Sequence, residues 1–176
     1  MSGVQKIFLV GYMGCGKSTL AKRLARRLGW RMVDTDHEIE VLEGASVADI
    51  FHYEGEEHFR GMERRVIERE MAGEEPVVVS TGGGLPAWQD NMVQMNRAGL
   101  TVYIRRSAEQ IASRLSPYGR QKRPKLRGLN DEELVAFMAE NMKERAPWYE
   151  QARLILDAGQ CSDEELVRQI LHELNQ

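Results

Sequence analysis

Residues 6–19 read Lys6-Ile7-Phe8-Leu9-Val10-Gly11-Tyr12-Met13-Gly14-Cys15-Gly16-Lys17-Ser18-Thr19. A short apolar run with β-branched residues meets a glycine-rich turn. Beyond it, Leu20, Leu24 and Leu28 recur at helical spacing. The order is strand, turn, helix, and the turn matches G-x-x-x-x-G-K-S/T, a phosphate-binding loop. The glycines let successive backbone N–H groups converge on one anion. The helix beginning near Lys17 points its positive end at the same place. Lys17 adds a mobile cation for the β- and γ-phosphates, and the Ser18 hydroxyl is placed to ligate Mg²⁺. A tight strand-to-helix turn without a ligand would not need the Lys-Ser pair.

Around this stretch the chain has 176 residues, 42% hydrophobic and 29% charged, with a net charge of −3. That length suits one globular domain with a full core. The slight acidity gives no global attraction to nucleic acid or to an anionic membrane. The two cysteines, Cys15 and Cys161, are too few and too scattered for a disulfide framework. Met1 to Lys6 is polar, unlike a signal peptide, and no run is long enough to span a bilayer. These features predict a cytoplasmic protein with no membrane partner.

A second strand over 30–34 leads into Asp34-Thr35-Asp36 and a helix through Ile39 and Leu42. If the chain is still extended there, Asp34 and Asp36 face the same side. In a parallel sheet that is the carboxyl edge, which the phosphate loop also occupies. Asp36 could equally cap the following helix. Two helices are predicted over 46–52 and 56–71. In the second, Phe59, Met62 and Val66 form a core stripe with Arg60 at its border. An arginine so placed needs a partner, and Glu56, Glu57 or Glu63 could supply a structural salt bridge.

The run Pro76-Val77-Val78-Val79-Ser80 reads as a strand buried on both faces. Thr81 and Gly82-Gly83-Gly84 follow it. Three glycines in a row suit a close approach by a ligand, or a flexible loop. A helix is expected over 86–98, a strand over 100–104, and a helix from the Ser107 cap to Leu115, carrying Arg114. The segment 112–128 holds Arg114, Arg120, Lys122, Arg123, Lys125 and Arg127 with no acid, broken by Pro117, Gly119, Pro124 and Gly128. It reads as a long mobile loop, a basic lid able to close over polyphosphate. A basic surface loop or a nucleic-acid patch is the other reading. Tyr118 is its single aromatic and the chain is net acidic, which argues against nucleic acid.

A helix from Asn130 or Asp131 carries Leu134, Met138 and Met142 on one face. Arg145 falls on that face, in what should be the last turn because Pro147 disfavours helix at Ala146. A fifth strand over 153–157, a turn over 158–161, and a helix opened by the Ser162/Glu165 capping box complete the chain. Alternating β and α elements predict an α/β fold in three layers, α/β/α, with a five-stranded parallel sheet.

Several of these stretches resemble one family nearly end to end, the shikimate kinases. They are the loop at 11–19, Asp34-Thr35-Asp36, Gly55-Glu56-Glu57-His58-Phe59-Arg60, the Gly82–Gly84 run, Arg123-Pro124, and Arg145-Ala146-Pro147-Trp148-Tyr149. The resemblance implies the nucleoside-monophosphate-kinase fold with sheet order 2-3-1-4-5. It also implies MgATP-dependent phosphorylation of the 3-hydroxyl of shikimate on the route to chorismate and aromatic amino acids. Carried over by position, Asp36 orients or deprotonates the attacking hydroxyl. Arg60 and Arg145 grip the carboxylate, and Gly82, Gly83 and Gly84 give backbone contacts. Lys17 and Arg123 hold the transferring phosphoryl group. Gly14, Cys15, Gly16, Lys17, Ser18 and Thr19 cradle the phosphates, while Arg114 and Gln160 flank the adenine. Ser18 ligates Mg²⁺, with Asp34 and Ser80 reaching it through water.

Substrate-binding helices would span about 37–72, the lid about 112–128, and the chain would act as a monomer. Arg120, Lys122 or Lys125 could share the task of Arg123. Two other functions fit less of the sequence. A kinase for another polyhydroxy acid such as gluconate would use the same arginine clamp. A non-catalytic binding domain of the same fold would be expected to lose Lys17, Asp36 or a clamp arginine. Cys15, at a helix N-terminus among anion-stabilising donors, is either a reactive thiol or a small residue filling a tight loop.

Overall fold

A computed structural model describes residues 3–121 and 123–176. Five strands are seen among them: β1 Lys6–Val10, β2 Arg31–Asp34, β3 Val77–Ser80, β4 Leu100–Arg105 and β5 Leu154–Asp157. They form one parallel sheet in the order β2-β3-β1-β4-β5, as expected. The apolar runs explain its centre: Ile7 to Val10 and Val77 to Val79 are fully buried, because helices cover both faces. Helix α1 (Lys17–Leu28) lies over β3 on one face and packs on the last helix, α9 (Asp163–Leu174). The other layer holds α4 (Glu56–Ala72), α5 (Asn91–Ala98) and α8 (Asp131–Tyr149). Helices α2 (Thr35–Glu43) and α3 (Val47–Tyr53) pack beside α4. Helix α6 (Ala108–Arg114) meets α8.

Register sets the position of the chemistry. Ser80 of β3 lies opposite Leu9 of β1 and Asp34 of β2. The ends of the three strands therefore share one edge, where a parallel sheet with this crossover order binds its ligand.

Three local expectations change. Helix α8 does not stop before Pro147 but continues to Tyr149. The proline forfeits one backbone bond, yet the extra turn carries Tyr149 into full burial, 5.2 Å from the ring of Tyr103. Tertiary packing outweighs the local preference. The helix expected over 86–98 is broken: a 3-10 turn at Leu85–Ala87 gives way to Gln89 at φ 48°, and α5 starts at Asn91. Side-chain bonds pull this corner onto neighbouring elements. Arg64 of α4 donates to Asp90 and Asn91 at 2.6 and 2.8 Å, and Asn91 donates to the Leu85 carbonyl at 2.9 Å.

The basic segment, third, is not structureless. Helix α7 (Pro117–Gln121) and a 3-10 turn at Pro124–Leu126 occupy it, and Leu126 is buried as a hydrophobic foot. Lys122 lies outside the described residues.

Candidate active site

The phosphate loop is built as its sequence demands. Gly14 and Gly16 take φ of 77° and 97°, which side chains disfavour. A Cβ on Gly16 would also lie 2.9 Å from Nη2 of Arg114. Arg114 thus sits against the loop from α6, with Thr19 exposed in the first turn of α1. Lys17 is buried, and its Nζ donates to the carbonyls of Gly11 and Tyr12 at 2.7 and 3.0 Å. It lies 3.7 Å from Sγ of Cys15, which is buried under the loop.

Ser18, Asp34 and Ser80 converge beside the loop. Ser18 Oγ donates to Asp34 Oδ2 at 2.5 Å and lies 3.3 Å from Ser80 Oγ. The other oxygen of Asp34 accepts from the backbone N–H groups of Asp36 and His37. Asp34, not Asp36, is therefore the N-cap of α2. The chain turns helical at Thr35, so the two carboxylates are not related by strand alternation. One carboxylate and two hydroxyls fit a hard cation that keeps several water and phosphate ligands.

Asp36, in the first turn of α2, meets Glu63 at the space where a side chain of Gly82 would lie. A Cβ added to Gly82 would meet Glu63 Oε1 at 2.6 Å and Asp36 Oδ1 at 2.8 Å. Burial, reinforced by the charge of Asp34, pushes the Asp36 carboxyl up to about 6, with Lys17 and Arg60 opposing. Burial pushes Glu63 up to about 7 against the pull of Arg60. Glu63 Oε2 accepts from Arg60 Nη1 at 2.7 Å, while Oε1 has no partner among the described residues. Arg60 also reaches Glu56 at 3.3 Å. The salt bridge read from sequence as one option is present, and the same guanidinium lies against Gly84, where a Cβ would collide with it.

Arg145 reaches the same place from α8. It stands 3.4 Å from where a Cβ on Gly83 would lie, and its guanidinium is 5.7 Å from the centroid of the Tyr12 ring. Among the described residues no carboxylate pairs with it. Tyr149, one turn on, donates to the Gly83 carbonyl at 2.5 Å. Of the lid cations, Arg123 faces the centre: burial lowers its pKa while Asp36 and Tyr12 raise it. It is steadied by a bond from Nη1 to the Gly119 carbonyl at 2.7 Å. Arg120 is engaged by Asp131 of α8 at 2.7 Å, and Lys125 is exposed.

Gln160 lies in the turn after β5, on the rim of a cavity of about 750 Å³ that Arg106 and Gln110 also line. The charge of Arg114 acts on Arg106, whose Nε donates to the Cys15 carbonyl at 2.9 Å. Arg106 thus shares the cavity lining with Gln160 and feels the charge of Arg114.

Sequence reasoning missed the burial of Glu63 and gave Tyr149 and Arg106 no role. The spacing of Arg60 and Glu63, three apart on one helix, was the available signal for the pair. Nothing local marks Tyr149 or Arg106, whose contacts are separated by 66 and 91 residues.

Residues 13–175 match the family model described as Shikimate kinase. The chain belongs to the shikimate kinase family. A shikimate kinase of Parabacteroides distasonis is 43% identical over 97% of this chain and 98% of that protein. A crystal structure of shikimate kinase from Bacteroides thetaiotaomicron superimposes with a TM-score of 0.89 at 38% identity, covering 97% of this chain and 98% of that one. The shikimate kinase of Acinetobacter baumannii, solved in complex with shikimate, gives 0.86 at 32%, covering 98% and 93%. A gluconokinase of Sinorhizobium meliloti gives 0.60 at 19% identity, covering 99% and 94%, and shares the fold alone.

The tight fit of Arg60 over Gly84 is testable. Gly84→Ala should destabilise the protein by about 1–3 kcal/mol through overpacking. In Arg60→Ala the obstacle is gone, so the same change should cost about 1 kcal/mol less. Urea unfolding of the four proteins measures this coupling; additive losses would contradict the contact.

Proposed function

We propose that the protein transfers the γ-phosphoryl group of ATP to the 3-hydroxyl of shikimate, giving shikimate 3-phosphate and ADP. The observation that carries this reading is the convergence of Arg60, Arg145 and Asp36 on the glycine run beside the phosphate loop, with Arg123 feeling the charge of Asp36. A small hydroxy acid needs a carboxylate grip and a hydroxyl acceptor held at a fixed distance. The planar fork of arginine supplies the first. Asp36 supplies the second. Membership of the family and the shikimate complex of the Acinetobacter relative support the choice of acceptor.

In this reading Arg145 and Arg60 anchor the acceptor carboxylate, and the N–H groups of Gly83 and Gly84 contact its body, while that of Gly82 donates to Thr35 Oγ1 at 2.9 Å. Asp36 accepts a hydrogen bond from the attacking hydroxyl and takes its proton as the bond to phosphorus forms. Phosphoryl transfer has a loose transition state, so positioning and charge neutralisation contribute more than base strength. Lys17 and Arg123 neutralise the charge on the transferring group, and Arg114 and Gln160 flank the adenine. The backbone N–H groups of Gly14 and of Gly16 to Thr19 cradle the phosphates, with Cys15 shaping the loop through its N–H bond to the Tyr12 carbonyl at 3.2 Å. Ser18, with Asp34 and Ser80 beside it, would hold Mg²⁺, which when bound would supply charge withdrawal from the phosphates of ATP. Every side chain used comes from one chain, so a monomer suffices. A cytoplasmic site of action fits this reading.

Shikimate-dependent ADP release should be rapid, with gluconate giving little above background. Asp36→Asn should lower kcat by at least about a hundredfold, the usual weight of a general base, and leave ADP binding within twofold. Equal turnover of gluconate, or near-normal turnover by the variant, would overturn the assignment.

Because Asp36 must be ionised to accept the hydroxyl proton, its raised pKa predicts an acid limb. The kcat/KM for shikimate should fall as the pH drops through about 6, since this parameter reports the free enzyme. A profile flat to pH 5 would contradict the role.

A further inference from the structure

Tyr12, inside the phosphate loop, has a hydroxyl that the proposed mechanism does not use. The residue is 1% exposed, and its hydroxyl has no hydrogen-bond partner among the described residues. A buried phenol normally finds an acceptor, because an unmet one loses its hydration without compensation. The surroundings explain the missing partner. The charged groups acting on the phenol are Arg145 and Arg123, both donors and neither able to accept. The Arg145 guanidinium lies 5.7 Å from the ring centroid and pairs with no carboxylate among the described residues. Tyr12 is also fixed through its backbone. Its carbonyl accepts from Lys17 Nζ at 3.0 Å and from the Cys15 N–H at 3.2 Å.

We infer that the Tyr12 hydroxyl is a third donor of the acceptor clamp, giving its hydrogen bond to the anionic carboxylate that Arg145 holds. The inference rests on the acceptor site proposed above and adds a specificity-determining residue to it. An anion entering between Arg145 and Tyr12 answers both groups at once: the guanidinium gains a counter-charge and the hydroxyl an acceptor. The ring meanwhile keeps the guanidinium in place by its π-face. Because the same residue carries a carbonyl that holds Lys17, this donor belongs to the phosphate-loop turn itself and joins it to the arginines of α4 and α8.

Tyr12→Phe tests this, since it keeps the ring and the backbone and removes only the hydroxyl. Calorimetric titration should show shikimate binding weakened about tenfold or more, the weight of a hydrogen bond to a charged acceptor. ADP binding should stay within twofold. The melting temperature of the free variant should be equal to or above that of the parent, because an unmet buried hydroxyl has been removed. For the cyclohexene triol that lacks the carboxylate, kcat/KM should be the same in both proteins. Unchanged shikimate affinity in the variant, or an equal loss for the triol, would overturn the inference. A parent protein that binds no shikimate would instead overturn the proposed function, so the two failures are distinct.

Discussion

The buried ion pair between Arg60 and Glu63 is the constraint on which the site depends. Both side chains are nearly inaccessible, and their separation is 2.7 Å. Removing either partner would leave a lone charge in the interior, a strongly destabilising change. The pair is costly to bury and useful for position. It holds a guanidinium against Gly84 and a carboxylate against Gly82, so the glycine run lies along the ion pair with no room for a side chain at either position. Asp36 is brought to the same point of Gly82 from α2. The arrangement converts a flexible sequence, three glycines after a strand, into a rigid floor.

The other half of the site is organised by the sheet. Parallel register aligns the ends of β1, β2 and β3, so the phosphate loop, Asp34 and Ser80 meet without any long side chain being stretched. Tyr149 then links α8 to the floor through the Gly83 carbonyl, which fixes where Arg145 emerges. The basic segment brings the charge of Arg123 to act with that of Asp36, while buried Leu126 ties the segment to the body. Positive groups surround the region where phosphoryl charge would develop, and the buried carboxylates are held on its acceptor side.

Much of this was legible in the chain. The strand-turn-helix at 6–28, the valine-rich third strand and the N-cap at Ser162 each encode their structure within a few residues, and the observed sheet follows from their order. Of the expected capping box at Ser162 only the bond from the Glu165 N–H forms, the Glu165 carboxylate turning to Arg168 and Gln169. Arg60 and Arg145 could be read as inward-facing from helical periodicity. The remainder depends on contacts between residues far apart in sequence. Pro147 should end a helix by local rules, yet burial of Tyr149 carries the helix through it. Arg64 bends the 88–91 corner by reaching Asp90 and Asn91, which no local pattern announces. The N-cap at Asp34, rather than Asp36, follows from where the helix starts, and single-residue boundaries are the least specified feature of a sequence.

The central claim is that this floor and clamp present one particular hydroxyl of shikimate to the phosphate loop. Phosphorus–proton correlation NMR of the reaction product reads that claim directly. The account predicts one phosphomonoester resonance, coupled to the ring proton at carbon 3. A coupling to the proton at another hydroxyl-bearing carbon, or the absence of any phosphomonoester, would contradict it.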